Sequence, residues 1–526
     1  MKILYNAKIH TLNSLQPHAS ALVIDHERIA AIGGEELLET VNADTLREDL
    51  GGRVVLPGLT DAHIHLMNYA LGLEKVDVET ATKAECLRRV AERAKTTPPG
   101  KWILGHGWQQ NDWGGEFGSA KELDEAAPNN PVYLTAKSLH AGWANQAALK
   151  LTNIHAGSPN PENGKILRNE HGHPTGILLE SAMHLLEYAL PETSTAEIAK
   201  AIQNSLPLLH RMGLTGAHDF DYRPAFMALQ LLNIENALTL RVTKSVPPDL
   251  LENARALGLR TGFGDDHLRI GAYKTFMDGA LGPRTAAMFQ PYLNEPENRG
   301  ILNLDGEQLF ELGRTAAQVG LSLAVHAIGD RAVHEALNAY EQLRAYETKN
   351  NLPHLRHRIE HVQVIHPNDA GRLAKLEVIA SMQPIHAVSD MQAADRFWGE
   401  RSALAYAPRT QLQAGATLAF GSDAPVESPN PFFGLHAAVT RRRPNGWPGP
   451  QGWYPEQRLS ISEALAGFTS GAAYAAGMEN RLGRLAPGYY ADLIVLEQDP
   501  LTCQPDELLT IYSTATMVGG EWVWQS

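Results

Sequence analysis

The chain has 526 residues with 45 basic and 59 acidic side chains, for a formal charge of −14. That balance argues against a nucleic-acid surface or an anionic membrane, both of which need clustered Lys and Arg. With 44% apolar and 20% charged residues, wholesale disorder is excluded. Two cysteines, Cys86 and Cys503, leave no disulfide framework and fit a reducing cytosol. The first residues, MKILYNAKIHTLNS, lack the apolar core of a signal peptide, and no run approaches the roughly 20 apolar residues that cross a bilayer. A cytoplasmic protein that binds neither nucleic acid nor membrane is the expectation.

In chain order, short strands come first. Lys2–Tyr5, Ala7–His10, Ala19–Ile24 and Arg28–Ile32 are apolar or alternating runs divided by Asn, Asp and Gly turns. The other end matches them with Ala491–Leu496 and Thr516–Trp524, so residues 1–54 and 481–526 are expected to build one composite β-sandwich. Between them eight strand-like runs alternate with helical ones: Val54–Leu66, Gly213–Phe220, Ala237–Val246, Leu268–Met277, Leu321–Ala327, Arg358–Ile365, Val378–Gln383 and Thr417–Ser422. Gly306–Val319, Arg331–Tyr346 and Pro367–Leu376 carry apolar residues at helical spacing. The fold class is therefore α/β, a (β/α)8 TIM barrel over residues 55–480 whose chemistry sits where strands end. The gap after the first barrel strand is too long for one crossover helix and must hold an inserted subdomain, at about residues 76–195. Its four tryptophans, Trp102, Trp108, Trp113 and Trp143, fit either a lid that shapes a substrate pocket or a small core of its own.

Asp61-Ala-His63-Ile-His65 closes the first barrel run, and residues two apart on a strand share a face, so both imidazoles can address one ion. Alone the pair is weak, since 22 histidines give about one such pair by chance. His171-Gly-His173, set among Gly172, Pro174 and Gly176, reads as a turn and a decoy. The company of the first pair is what matters. His326 ends the fifth run, Glu360-His361 lies in the sixth and Asp423 follows the eighth. Imidazole nitrogen with carboxylate oxygen is the ligand set of a divalent transition metal, zinc above all. The fourth run contributes Lys274, and an ammonium among divalent ions would be strongly repelled. Either Lys274 lies outside the site or burial has taken its proton, and a neutral amine beside metal can capture carbon dioxide as a carbamate bridging two ions. One or two metals per chain remain open on these residues.

Taken together these segments resemble the metal-dependent amidohydrolase superfamily, in its YtcJ-like (Amidohydro_3) branch. Leu56-Pro-Gly-Leu-Thr-Asp-Ala-His-Ile-His65, Lys274-Thr-Phe-Met-Asp-Gly-Ala-Leu-Gly282 with Arg284-Thr-Ala286, His326-Ala-Ile-Gly-Asp330, Arg358-Ile-Glu-His361, Gly421-Ser-Asp-Ala-Pro425 and Leu482-Gly-Arg-Leu-Ala-Pro-Gly488 carry the likeness along nearly the whole chain. The resemblance implies a hydrolase of carbon–nitrogen bonds other than peptide bonds, with His63, His65, His326, His361 and Asp423 holding metal and Lys274 carboxylated between the ions. Asp423 is then the proton shuttle, and His361 or His326 steadies the oxyanion. Ser138-Leu139 before His140, and the amides of Gly107-Trp108-Gln109-Gln110, depart from the branch and leave its substrate preference open. His140, Trp108 and Arg284 are the expected substrate contacts, the substrate being a small N-acyl, N-formyl or cyclic amide. A deaminase on the same barrel has no use for Lys274. A phosphotriesterase-type hydrolase lacks the terminal sandwich, and a non-catalytic ligand-binding relative would have no need of all six metal-site residues. A homodimer is the commonest assembly for such a chain.

Overall fold

A computed structural model of the chain describes residues 1–526 apart from 109, 115, 137–140, 162–163, 189 and 191 and the side chains of 111 and 112. Two compact units are present, one formed by Met1–Tyr69 with Ile198–Ser526 and the other by Ala70–Glu197.

The larger unit contains an eight-stranded parallel sheet: β1 (Leu59–Ile64), β2 (Leu214–Asp219), β3 (Arg241–Val246), β4 (Leu268–Phe276), β5 (Leu323–Ala327), β6 (Arg358–His361), β7 (Ile379–Met382) and β8 (Leu418–Phe420). Each pairs with its sequence neighbour, as right-handed βα crossovers require. The two edges meet just past their C-terminal ends. There Asp423 N–H donates to His63 O (2.7 Å) and His65 N–H donates to Ala424 O (2.9 Å). The expected α/β barrel is thus present, and its last seam is tied at the residues singled out from the sequence.

Val54–Leu66, expected as one strand, is two in different sheets. Val54–Pro57 pairs with Leu493–Leu496 and Lys8–His10, and β1 begins only after Gly58. The break is steric. A Cβ at Gly58 would stand 2.2 Å from Thr215 Oγ1, so glycine lets the chain pass β2 closely while its N–H bonds Asp492 O. A continuous apolar run carries no sign of such a change of sheet. β6 is shorter than expected because His361 and Val362 adopt φ of 77° and 44°, leaving extended geometry. Pro367–Leu376 is a single 3-10 turn, Pro367–Asp369, and a short helix, Arg372–Lys375.

Strands from both ends of the chain share a six-stranded sheet, and a four-stranded sheet (Arg28–Gly33, Ala21–Asp25, Lys2–Tyr5, Leu46–Asp49) packs with it around Leu4, Leu22, Val55, Leu493, Val495 and Met517. Arg241 on β3 reaches into this layer with a two-pronged bond to buried Asp492, at 2.7 and 3.0 Å.

The smaller unit has its own six-stranded sheet, ordered Gly164–Arg168, Pro174–Glu180, Ala141–Ala144, Val132–Ala136, Ile103–Trp108 and Val76–Asp77. Helix Lys83–Thr96, capped by Thr82, supplies Cys86 and Val90 to its core. Trp108, Trp113 and Trp143 pack ring on ring there. Among the described residues no helix is long and apolar enough to cross a membrane.

Candidate metal centre

Alternation along β1 turns Asp61, His63 and, just beyond it, His65 to one face. Asp61 is structural there: its Oδ1 accepts the N–H groups of His63 and Ser422, both at 3.0 Å, stitching β1 to the loop after β8. Burial raises its pKa to about 7, against the bonds from Ser422 and His63. Gly421 completes the seam, because a Cβ there would meet His63 N at 2.4 Å and Asp61 Oδ1 at 2.6 Å. Gly421→Ala is expected to part the two edges, lowering the melting temperature and weakening metal uptake; unchanged thermal melting and zinc titration would show the seam to be compliant.

His63, His361 and Asp423 each offer a ligand atom within 4.8 Å of the others. His65 lies beside this group rather than within it: Asp423 Oδ1 is 3.5 Å from His63 Nε2 and 3.4 Å from His65 Nε2. The ring of His326 lies 4.7 Å from that of His361, set edge to face. Lys274, buried on β4, has its Nζ 4.9 Å from the rings of both Phe220 and Phe276, with no carboxylate in ion-pair contact among the described residues. Burial lowers its pKa to about 8, although Glu360 and Asp423 act the other way.

Each imidazole is fixed by a partner behind it. His63 Nδ1–H donates to Glu360 (2.6 Å), His361 Nδ1–H to Gln383 Oε1 (2.8 Å) and His326 Nε2–H to Gly279 O (2.9 Å). With one proton each, these rings keep a lone pair on the other nitrogen: Nε2 of His63 and His361, Nδ1 of His326. Burial keeps them neutral, pushing His63 and His326 down to about 4 and His361 well below the usual range. His65 differs. Burial opposes its charge, but hydrogen bonds with Asp221 and Asp423 outweigh it and lift the pKa to about 9. Burial raises the Asp423 pKa, but His63, the hydrogen bond from His65 and His361 outweigh it and hold the carboxylate well below its usual range.

Behind His63 stands a buried network that sequence reasoning missed. Glu360 Oε2 accepts from His63, from Ser381 Oγ (2.6 Å) and from Arg358 (3.0 Å), while Arg358 also bonds Ala62 O and His218 Nδ1. Burial raises the Glu360 pKa, yet Arg358 and His63 hold it well below the usual range. Arg358→Met strands that carboxylate and is expected to destabilise the fold by about 3–5 kcal/mol, read from denaturant unfolding; a loss under about 1 kcal/mol would mean the pair is solvated. Asp221, following β2, was likewise missed: it orients His65 and accepts Met67 N–H (2.6 Å). The one available signal was the alternation that turns Glu360 inward beside Arg358.

The expected substrate contacts fare differently. Trp108 is fully buried in the smaller unit, its indole N–H spent on Leu134 O (2.9 Å), so it is a core residue rather than a substrate contact. Arg284 is tied to Glu295 and lies over Phe397. His140 falls outside the described residues. The oxyanion role expected of His361 or His326 also fails, because the only proton of each points away, to Gln383 and Gly279. His171 and His173 lie at an exposed hairpin turn, with His173 N–H on Asn169 Oδ1.

The amidohydrolase family profile matches residues 48–524. Relatives extend over almost the full chain. LONG AFTER FAR-RED 3 of Arabidopsis thaliana is 33% identical, over 98% of this chain and 90% of its own. YtcJ of Bacillus subtilis is 30% identical, over 98% of both. The N-substituted formamide deformylase of Arthrobacter pascens is 29% identical, over 98% of this chain and 97% of its own. Among solved structures, an uncharacterized metal-dependent hydrolase of Pyrococcus furiosus superposes with a TM-score of 0.79 at 30% identity, covering 95% of this chain and all of that one.

Proposed function

The chain belongs to the amidohydrolase family, and from that premise we propose that it is a metal-dependent hydrolase of non-peptide C–N bonds, acting on small N-formyl or N-acyl amines. One observation carries the reading: Asp423 Oδ1 lies between the Nε2 atoms of His63 and His65, at 3.5 and 3.4 Å. Two donors about 2.1 Å from one zinc at a tetrahedral angle are about 3.4 Å apart, so these side chains already stand at ligand spacing. The lone pairs left by Glu360, Gln383 and Gly279 supply the rest of the donor set. A divalent metal held by His63, His65, His326, His361 and Asp423 supplies Lewis acidity and a water acidified toward neutral pH.

Ionised and 13% exposed, Asp423 is suited to take the proton of the attacking water and deliver it to the departing nitrogen. Atoms balance in this scheme: the water oxygen joins the carbonyl carbon, one of its protons passes through Asp423 to nitrogen, and the C–N bond breaks to amine and carboxylic acid, which releases its remaining proton to solvent as it ionises. Lys274, lightly basic and with no carboxylate in ion-pair contact among the described residues, is suited to carboxylation, in which neutral Nζ bonds carbon dioxide and releases a proton. The deformylase relative supports formamides as the class to try first. Metal-replete protein assayed on N-formyl, N-acyl and cyclic amides is expected to turn over the formyl or acyl compounds. Turnover of cyclic amides alone would overturn the substrate class.

A further inference from the structure

We infer that His386 is a catalytic residue that donates its Nε2–H to the oxyanion formed at the substrate carbonyl, an assignment that rests on the hydrolase reading above. An acyl-transfer site needs a donor aimed where negative charge develops. His63, His326 and His361 offer only lone pairs to the centre, their protons being held by Glu360, Gly279 and Gln383. His65, once a metal replaces its Nε2 proton, keeps only the proton facing Asp221.

His386 fills the gap. It lies in the first turn of helix Pro384–Trp398, directly after β7, and is only 5% exposed. Its ring runs parallel to that of His361, at 6.3 Å and 11°. The Nδ1 atom accepts from Gln363 Nε2 (3.4 Å), which leaves the proton on Nε2. That Nε2 faces Asp423 Oδ2 at 4.0 Å, beyond hydrogen-bond reach, and has no partner among the described residues. A buried donor without a partner costs stability, and a group retained at that cost beside the proton shuttle is explained by a ligand atom that completes it.

Asp423 and His386 then act on opposite charges. As the water oxygen bonds the carbonyl carbon and Asp423 takes its proton, the π pair moves to the carbonyl oxygen, and His386 hydrogen-bonds that oxygen without giving up its own proton. When the pair returns and expels the amine, the bond relaxes. Gln363 is a positioning residue, fixing the tautomer from the strained turn that follows His361 and Val362.

The test compares His386→Leu, which removes the donor, with His386→Gln, whose amide reaches about as far. In zinc-loaded enzyme the leucine variant is expected to lose about 10²–10³-fold in kcat with little change in KM, at unchanged zinc stoichiometry. Formate, the product-like probe, should bind it about 10-fold more weakly by calorimetry, and the glutamine variant should recover most of that affinity. Wild-type kcat and formate affinity in His386→Leu would overturn the assignment, as would loss of zinc. If wild-type protein cleaves no amide, the hydrolase reading fails on its own, and the formate affinities still decide whether His386 is an anion-facing donor.

Discussion

Asp423→Asn is expected to lower kcat by at least about 10³-fold while zinc content stays close to wild type. Asparagine keeps the shape of the side chain and one ligand-capable oxygen, and the four imidazoles of the centre remain. What disappears is the basicity. In the native chain the carboxylate is held ionised by His63, His65 and His361 in spite of burial, ready to accept a proton. An amide cannot take that proton or return it to the leaving amine. Steady-state kinetics beside elemental analysis checks the split, and full activity in the variant would remove Asp423 from the proton path.

The second large effect concerns Lys274. On the carbamate proposal, which would place two ions in the centre, Lys274→Met is expected to reduce bound metal from two ions to one and to cost at least about 10²-fold in kcat. The metal-free protein should melt no lower than wild type, because Nζ is buried with no ion-pair partner among the described residues, against the rings of Phe220 and Phe276 and with Glu360 and Asp423 acting only from a distance, so methionine fills the space without a desolvation penalty. A lysine held for stability predicts the reverse, a lower melting temperature with metal content intact. Two ions per chain in the variant would rule out a carbamate bridge.

Much of the centre was legible in the sequence because its donors are single side chains at strand ends, where a barrel gathers groups distant along the chain. His63 and His326 lie near the ends of recognisable apolar runs, His361 lies within one and Asp423 directly follows one. Their supporting groups were less visible. Glu360 stands 297 positions from the His63 it orients, and only the closed barrel brings them together. His361 lies next to Glu360 and by strand alternation should face the other way; the left-handed turn at φ 77° brings its ring within 5.0 Å of His63. Asp221 and His386 belong to loops and helix starts just past their strands, where periodicity gives no orientation. Trp108 misled because composition places tryptophan equally well in a pocket and in a core, and the indole bond to Leu134 decides for the core.

The most direct measurement is metal removal and return. Protein stripped with a chelator, then assayed on an N-formyl amine before and after zinc is added back, should be inactive when stripped and recover on zinc addition. His63→Ala, treated alike, should neither bind zinc nor recover. Undiminished hydrolysis by the stripped protein, or zinc-restored activity in His63→Ala, would contradict a catalytic metal held at this rim.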